Sequence, residues 1–230
     1  MSMNPVTVLL CVHSPAPAWD ALLCRALDSL QAQTHKAFDT VLVLDECQER
    51  TVQAVQAHLP PGTRVLRKPT PRAGLAYAKN YGLEHIRTPW VAALDADDQY
   101  LPRKLEAQLD WVKQQPRVDI LGTQSQVVLD GVPQSGSWPT RHPLVKAMTV
   151  NNAHTTHDAI ARAFTKRDRN VLTHGSVMIR RSVLEALGGY HHVKGAEDYD
   201  LWKRALQAGY QFAVVPEPLY LWSYGTAVPR

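Results

Sequence analysis

The sequence predicts an α/β fold, a Rossmann-like and mainly parallel sheet with helices on both faces. Three observations predict it. Through the first 130 residues, short apolar runs of strand length alternate with amphipathic helical stretches. The runs are apolar on consecutive residues, as strands covered on both faces are. Polar or acidic residues follow the end of one run after another, where an open parallel sheet binds its ligands.

Val6–Val12 is the first apolar run, and Trp19 to Gln33 then sets Leu22, Leu23, Ala26, Leu27 and Leu30 on one helical face. Thr40 to Leu44 is a second strand, and Glu49 to His58 a helix ended by Pro60-Pro61-Gly62. Arg64 to Leu66 is a short third strand, followed by a helix over Arg72 to Ile86 with Leu75, Ala78, Gly82 and Ile86 three and four apart. Trp90 to Leu94 is the fourth strand, and the helix from Pro102 to Gln115 turns Leu105, Leu109 and Val112 inward. Beyond Pro116 the alternation breaks. Asp119 to Leu129 reads as strand ended by Asp130-Gly131, and Gly136 to Asn170 is a polar stretch. Ser176 to Ile179 is a strand, Arg181 to Leu187 a short helix stopped by Gly188-Gly189, Glu197 to Gln207 an amphipathic helix closed by Gly209, and Gln211 to Val215 a strand. No repeat or linker interrupts the pattern, so residues 1–230 read as one domain.

Composition narrows the function classes. Lys plus Arg number 25 and Asp plus Glu 21, a formal net charge of +4 with no concentrated basic stripe, so a dedicated nucleic-acid binder is disfavoured. The 3 cysteines, Cys11, Cys24 and Cys47, are odd in number and far apart, which excludes a disulfide scaffold and a CxxC zinc site and favours a reducing compartment. No run approaches the ~18 apolar residues of a membrane helix, and Met1 to Val12 lacks the features of a signal peptide. The expectation is a cytoplasmic protein, with peripheral contact at the inner face of a membrane left open.

The residues after the strands carry the chemistry. His13 and Ser14 follow the first, Asp45-Glu46 the second and Asp95-Ala96-Asp97-Asp98 the fourth. In extended backbone residues i and i+2 face the same side, so Asp95 and Asp97 can share a ligand. Two hard carboxylates so placed suit Mn²⁺ or Mg²⁺ bound together with substrate phosphate; the plainer alternative is an acidic turn capping the next helix. No G-x-G-x-x-G, P-loop or G-x-S-x-G motif is present. His154-Thr-Thr-His157-Asp158 has chelating spacing but no evident third ligand.

The ordered set Val6–Val12, Val43-Leu-Asp45, Gly74-Leu-Ala-Tyr-Ala-Lys-Asn80-Tyr-Gly82, Val91-Ala-Ala-Leu-Asp95-Ala-Asp97-Asp98, His174-Gly-Ser-Val-Met-Ile-Arg-Arg, Leu187-Gly-Gly-Tyr190 and Glu197-Asp198-Tyr-Asp200-Leu-Trp-Lys-Arg resembles family 2 glycosyltransferases of the GT-A fold. The likeness covers most of the chain except about 131–170. It implies a non-processive, inverting, metal-dependent glycosyltransferase, with a nucleotide-sugar-binding half over 1–130 and an acceptor-binding, catalytic-base half over 131–230. By resemblance, His13, Asp45, Lys79, Asn80 and Asp95 bind the nucleotide sugar, Asp97 with Asp95 holds Mn²⁺ or Mg²⁺, and Asp198 is the catalytic base. Glu197 and Trp202 fall on the acceptor side, although tryptophans in a domain of this size usually pack. The implied partners are a nucleoside-diphosphate sugar, a UDP-sugar first among them, and a saccharide or lipid-linked acceptor. The alternatives are a metal-dependent nucleotidyltransferase and a non-catalytic nucleotide-sugar-binding relative. Two departures from the family pattern stand out: Asp45-Glu46-Cys47-Gln48 replaces Asp-Asp-Gly-Ser, and Trp222-Ser223-Tyr224-Gly225 lacks the C-terminal histidine that would be a further metal ligand. His174 is a candidate to compensate, though a lone histidine before a buried strand is more often structural.

Overall fold

The structure is a computed structural model that describes residues 4–13, 17–69, 74–129, 132–133, 154–167 and 170–224. In chain order the strands are β1 (Val6–Val12), β2 (Phe38–Leu44), β3 (Arg64–Arg67), β4 (Trp90–Asp95), β5 (Gln99–Tyr100), β6 (Ile120–Leu129), β7 (Val132–Pro133), β8 (Met178–Arg180) and β9 (Phe212–Tyr224). The helices are α1 (Pro17–Gln31), α2 (Glu49–Val55), α3 (Leu75–Leu83), α4 (Lys104–Gln114), α5 (His157–Arg167), α6 (Arg181–Ala186) and α7 (Glu197–Gln207), with single 3₁₀ turns at Gln56–His58 and His174–Ser176.

One sheet runs in the order β3-β2-β1-β4-β8-β6-β9-β5, and β7 pairs with β6. The strands β3, β2, β1 and β4 are mutually parallel, as predicted. Beyond them β8 is antiparallel to both β4 and β6, and β6 is parallel to β9, so the second half is a mixed sheet. The chain winds outward from β1 through β2 to β3, then returns to the opposite side of β1 for β4. That reversal is the topological switch point of the sheet.

Alternate residues of β1 face opposite layers. Val6, Val8, Leu10 and Val12 pack with Leu23, Leu27 and Leu30 of α1 and Leu105 and Leu109 of α4. Leu9 faces the other layer, with Val43 of β2, Ala76 and Ala78 of α3, and Leu201 and Trp202 of α7. This two-sided burial is why the strand is apolar on consecutive residues. The first turn of α4 is held from a distance: buried Gln33 accepts from the Leu105 N–H at 3.1 Å, one of the donors that a helix start leaves open, and itself donates to the Leu101 carbonyl at 2.9 Å.

Several elements differ from the sequence expectation. Within the polar stretch ending at Asn170, α5 forms and buries Ile160, Ala163 and Phe164, spaced three and four apart. The last strand runs to Tyr224 and not merely to Val215, because it follows β6 through two register shifts at Thr123/Gln124 and Gln124/Ser125. Pro216 and Pro218 sit opposite that irregularity, where bulged pairing accommodates residues with no N–H to donate. The Gln99–Tyr100 strand is an addition that pairs with this extension. Ser14, Arg72, Trp138 and His142 lie outside the described residues.

Candidate active site

The site forms at the switch point. Cys11 is in register with Asp95 across β1 and β4, and Val12 with Leu44 across β1 and β2. The residues just past these strands therefore meet on one rim, as ligand-binding residues of open α/β sheets do. A cleft of about 340 Å³ opens there, lined by Cys11, Val12, His13, Asp45, Gly74, Leu75 and Ala78. A smaller neighbouring recess brings in Lys79, Asp95, His174 and Tyr190.

On the β2 side, Asp45 is tied to the end of β1 through its N–H to the Val12 carbonyl, 2.9 Å. Its carboxylate pairs with Lys68 at 3.0 Å and accepts from the Gly74 N–H at 3.4 Å, and the side chains of both Asp45 and Lys68 are only 4% exposed. His13 is exposed, with Nδ1 3.0 Å from the Asp45 carbonyl oxygen. A carbonyl only accepts, so Nδ1 carries the proton in this contact.

On the β4 side the acidic run divides into three roles. Asp95 meets His174, with Nδ1 3.1 Å from Oδ1, and Nε2 of the same ring lies 3.1 Å from the Tyr190 hydroxyl. Burial alone would raise the Asp95 pKa, but the His174 charge and hydrogen bond, the Lys79 charge and the Gly175 N–H together hold it at about 2. Asp97 is pushed the other way, to about 6, by burial and by the charge of Asp95. Among the described residues no basic side chain pairs with Asp97, so it is a carboxylate short of a cation. Asp98 turns inward: it accepts from the buried Tyr220 hydroxyl and from the Ser223 N–H at 2.6 Å, fastening β9 beneath the rim. Burial and the neighbouring Asp97 and Asp95 charges raise its pKa well above the ordinary carboxylate range.

The donor set of Asp95 and Asp97 fits a hard divalent cation such as Mn²⁺ or Mg²⁺. Among the described residues no group of three or more His, Cys, Asp and Glu side chains is arranged to hold a metal by itself. A metal here would draw its remaining ligands from water and from substrate oxygens. His174, the candidate to replace the missing C-terminal histidine, is engaged at both ring nitrogens, by Asp95 and by Tyr190. It braces Asp95. The adjacent Gly175 leaves room for Tyr220, since a Cβ at that position would fall on the Tyr220 hydroxyl.

The third group of residues comes from the start of α7. Glu197 pairs with Lys79 at 2.9 Å. Burial opposes ionisation of Glu197, yet the Lys79 charge and hydrogen bond lower its pKa overall. The Lys79 side chain is nearly buried, with Nζ 5.0 Å from the centre of the Tyr190 ring. Asp198 accepts from the Tyr199 N–H at 2.7 Å and from the Asn170 side chain at 2.6 Å. Tyr190 sits among these groups; burial first, then the charges of Cys11, Asp198, Asp95 and Glu197, keep its phenol protonated well beyond the ordinary range.

Two predicted site residues have other work. Trp202 is 0% exposed, with ring centroids 6.4 Å from both His174 and Phe212, so it is a core residue and offers no face to an acceptor sugar. An amphipathic helix must bury its largest apolar side chain, and that requirement decides the orientation. Asn80 does not turn its amide to the cleft. Nδ2 donates to the Tyr190 carbonyl and Oδ1 accepts from the Tyr190 N–H, both at 2.8 Å, so the side chain clasps the backbone that carries Tyr190. Gly189, at φ +74°, permits the clasp, because a Cβ there would overlap Asn80 Oδ1. Tyr190 and Asn170 were not singled out from the sequence as site residues, and His174 was weighed there only as a metal ligand; His174 and Tyr190 lie within motif runs, but local pattern does not reveal whom they touch. His157 Nδ1 accepts from the Phe212 N–H at 3.3 Å, with its ring tilted beside that of Phe212, a structural arrangement.

Comparison with known proteins gives this geometry a family. The sequence model described as Glycosyl transferase family 2 matches residues 17–188. The amylovoran biosynthesis glycosyltransferase AmsE of Erwinia amylovora is 31% identical over 199 residues, covering 85% of this chain and 68% of AmsE. The O-antigen biosynthesis glycosyltransferase WbnJ of Escherichia coli is 24% identical over 206 residues, covering 89% of this chain and 72% of WbnJ. Among solved structures, S. aureus TarS 1-349 in complex with UDP-GlcNAc superposes with a TM-score of 0.71 at 16% identity, over 95% of this chain and 58% of that one. The mannosyltransferase PcManGT from Pyrobaculum calidifontis, in complex with GDP-Man and Mn²⁺, gives 0.67 at 20% identity, over 98% and 57%. This chain thus spans a little over half the length of those two solved chains. With the matched region running from α1 to the turn after α6, and with the switch-point rim as described, the chain belongs to glycosyl transferase family 2 and has the GT-A fold.

Proposed function

We propose that this chain catalyses inverting, metal-dependent transfer of a sugar from a nucleoside-diphosphate sugar, a UDP-sugar first among the candidates, to a hydroxyl of a saccharide or lipid-linked acceptor. The observation that carries the reading is the convergence on Tyr190. The Asp95 side is joined to it through His174, and on the other side Lys79, beside the Tyr190 ring, pairs with Glu197. Asp95, on the side suited to a metal, is thus linked through His174 to the same tyrosine whose ring lies beside Lys79, the partner of Glu197 next to the proposed base.

In this reading Asp97 and Asp95 hold Mn²⁺ or Mg²⁺, which when bound supplies positive charge to a departing nucleoside diphosphate. Asp45 and His13 border the cleft that takes the nucleotide. Lys79, paired with Glu197, keeps Glu197 ionised and anchors the start of α7. Asp198 accepts the proton of the acceptor hydroxyl as that oxygen attacks the anomeric carbon and the bond to the diphosphate breaks. The N-terminal end of the α7 dipole favours an anionic carboxylate at this position. Among the described residues no helix is long and apolar enough to cross a membrane.

The test is product analysis with UDP-glucose, UDP-GlcNAc and GDP-mannose in the presence of Mn²⁺. Release of nucleoside diphosphate together with transferred or hydrolysed sugar is expected, and Asp198→Asn lowers it by at least ~10²-fold, the scale of a lost general base. Pyrophosphate release from nucleotide triphosphates and sugar phosphates would instead identify a nucleotidyltransferase. Binding of the nucleotide sugars without any turnover would identify a non-catalytic relative.

A further inference from the structure

We propose that Asn170 is the positioning residue for Asp198, fixing the plane of the carboxylate so that its remaining acceptor positions face the incoming hydroxyl. The proposal rests on Asp198 being the base. Asn170 Nδ2 donates to Asp198 Oδ2 at 2.6 Å, while its own Oδ1 accepts from the Leu172 N–H at 3.1 Å. The second bond removes the ambiguity of an amide flip: the oxygen is committed to Leu172, so the NH₂ group faces Asp198.

The other hold on Asp198 is weak in directional terms. Oδ1 accepts from the N–H of the adjacent residue, Tyr199, a local contact of the sort that first-turn aspartates make for helix stability alone. The terminal torsion of an aspartate is broad, and one local bond leaves the carboxylate free to rotate about it. With Asn170 on the second oxygen, both oxygens are fixed. A carboxylate offers about four acceptor sites, so each oxygen retains a position for a substrate proton after these two bonds. Proton abstraction depends on such alignment.

The local fold does not need this bond. Val171 and Leu172, the two residues after Asn170, are themselves buried in the layer containing Phe164, Leu201 and Phe212 and anchor the segment by packing. The hydrogen bond from Asn170 to Asp198 is therefore available for the site. It joins the stretch that differs most from the family pattern to the proposed base, across 28 positions of sequence.

Asn170→Asp is the sharp test, because it keeps the size of the side chain and the acceptor for the Leu172 N–H while replacing the donor facing Asp198 with a second carboxylate. Turnover of UDP-glucose, UDP-GlcNAc and GDP-mannose is read as nucleoside diphosphate release with Mn²⁺. The expected result is a fall in kcat of tenfold or more with donor KM changed less than twofold, and a melting temperature lowered by the new like-charge contact. The exchange variant, Asn170→Asp with Asp198→Asn, restores a donor–acceptor pair in the reverse sense. Its melting temperature is expected to recover while its turnover stays at the level of Asp198→Asn alone. Unchanged kcat in Asn170→Asp, with Asp198→Asn inactive, overturns the positioning role and leaves the base assignment standing. Full activity of Asp198→Asn overturns the base assignment itself, and this proposal with it. A melting temperature of the exchange variant no higher than that of Asn170→Asp shows that the two side chains do not pair and also overturns it.

Discussion

Asp97 is the residue at which stability and the proposed activity oppose one another. Its pKa of about 6, against an ordinary 3.8, means that the folded chain holds this proton more tightly than the unfolded chain does. Stability from this group is present below the unfolded value and is lost as pH rises from there through about 6. Asp97→Asn is therefore expected to raise the melting temperature of the metal-free protein at pH 7, by ~2–4 °C for each kcal/mol recovered, and to change it little near pH ~3. Thermal unfolding at the two pH values checks this, and equal shifts at both would contradict it. The same titration would govern metal binding at the proposed site, since a carboxylate must lose its proton to coordinate. Apparent Mn²⁺ affinity, measured by calorimetry, is expected to fall as pH drops through about 6, while Asp95, held at about 2, stays ionised throughout. An affinity flat from pH 5 to 8 would remove Asp97 from the metal site.

At the scale of elements, the rim depends on contacts that reach far along the chain. β9 is fastened under the Asp95–Asp98 turn by Tyr220 and Ser223, and Gly175 leaves room for the Tyr220 ring to do so. Gly175→Ala is expected to cost about 1–3 kcal/mol, the usual penalty of an overpacked buried site, and to lower activity more than a core substitution of equal cost elsewhere, such as one in α1. Denaturant unfolding paired with turnover distinguishes the two. These long-range contacts also explain what could be read from the sequence. The parallel strands β1 to β4 and the acidic rim were legible because an apolar run and the residues after it are local facts. The inward turn of Asp98 was not, because its partners lie more than 120 positions away. Trp202 and Asn80 carried family motifs, yet one is drawn into the core by helix amphipathicity and the other is consumed by the Tyr190 backbone. The α5 helix was hidden because only Ile160, Ala163 and Phe164 mark its buried face within a polar stretch.

For the whole molecule, a modest excess of positive charge conceals an acidic centre at the seam of β1 and β4, with Lys68 and Lys79 set beside Asp45 and Glu197. The sheet supplies the convergence: its switch point gathers three strand ends, His174 and Tyr190 line the recess beside Asp95, and Lys79 of that recess pairs with Glu197 at the start of α7. If this rim is a metal and nucleotide site, ligand binding must stabilise the native state by mass action, about 2.7 kcal/mol at a concentration 100 times Kd. The most direct measurement is thermal unfolding of the full chain with UDP and GDP, with and without Mn²⁺, for the wild type and for Asp97→Asn. The account predicts stabilisation by at least one nucleoside diphosphate that requires Mn²⁺ in the wild type and disappears in the variant. Stabilisation equal with and without metal, or undiminished in Asp97→Asn, would contradict it.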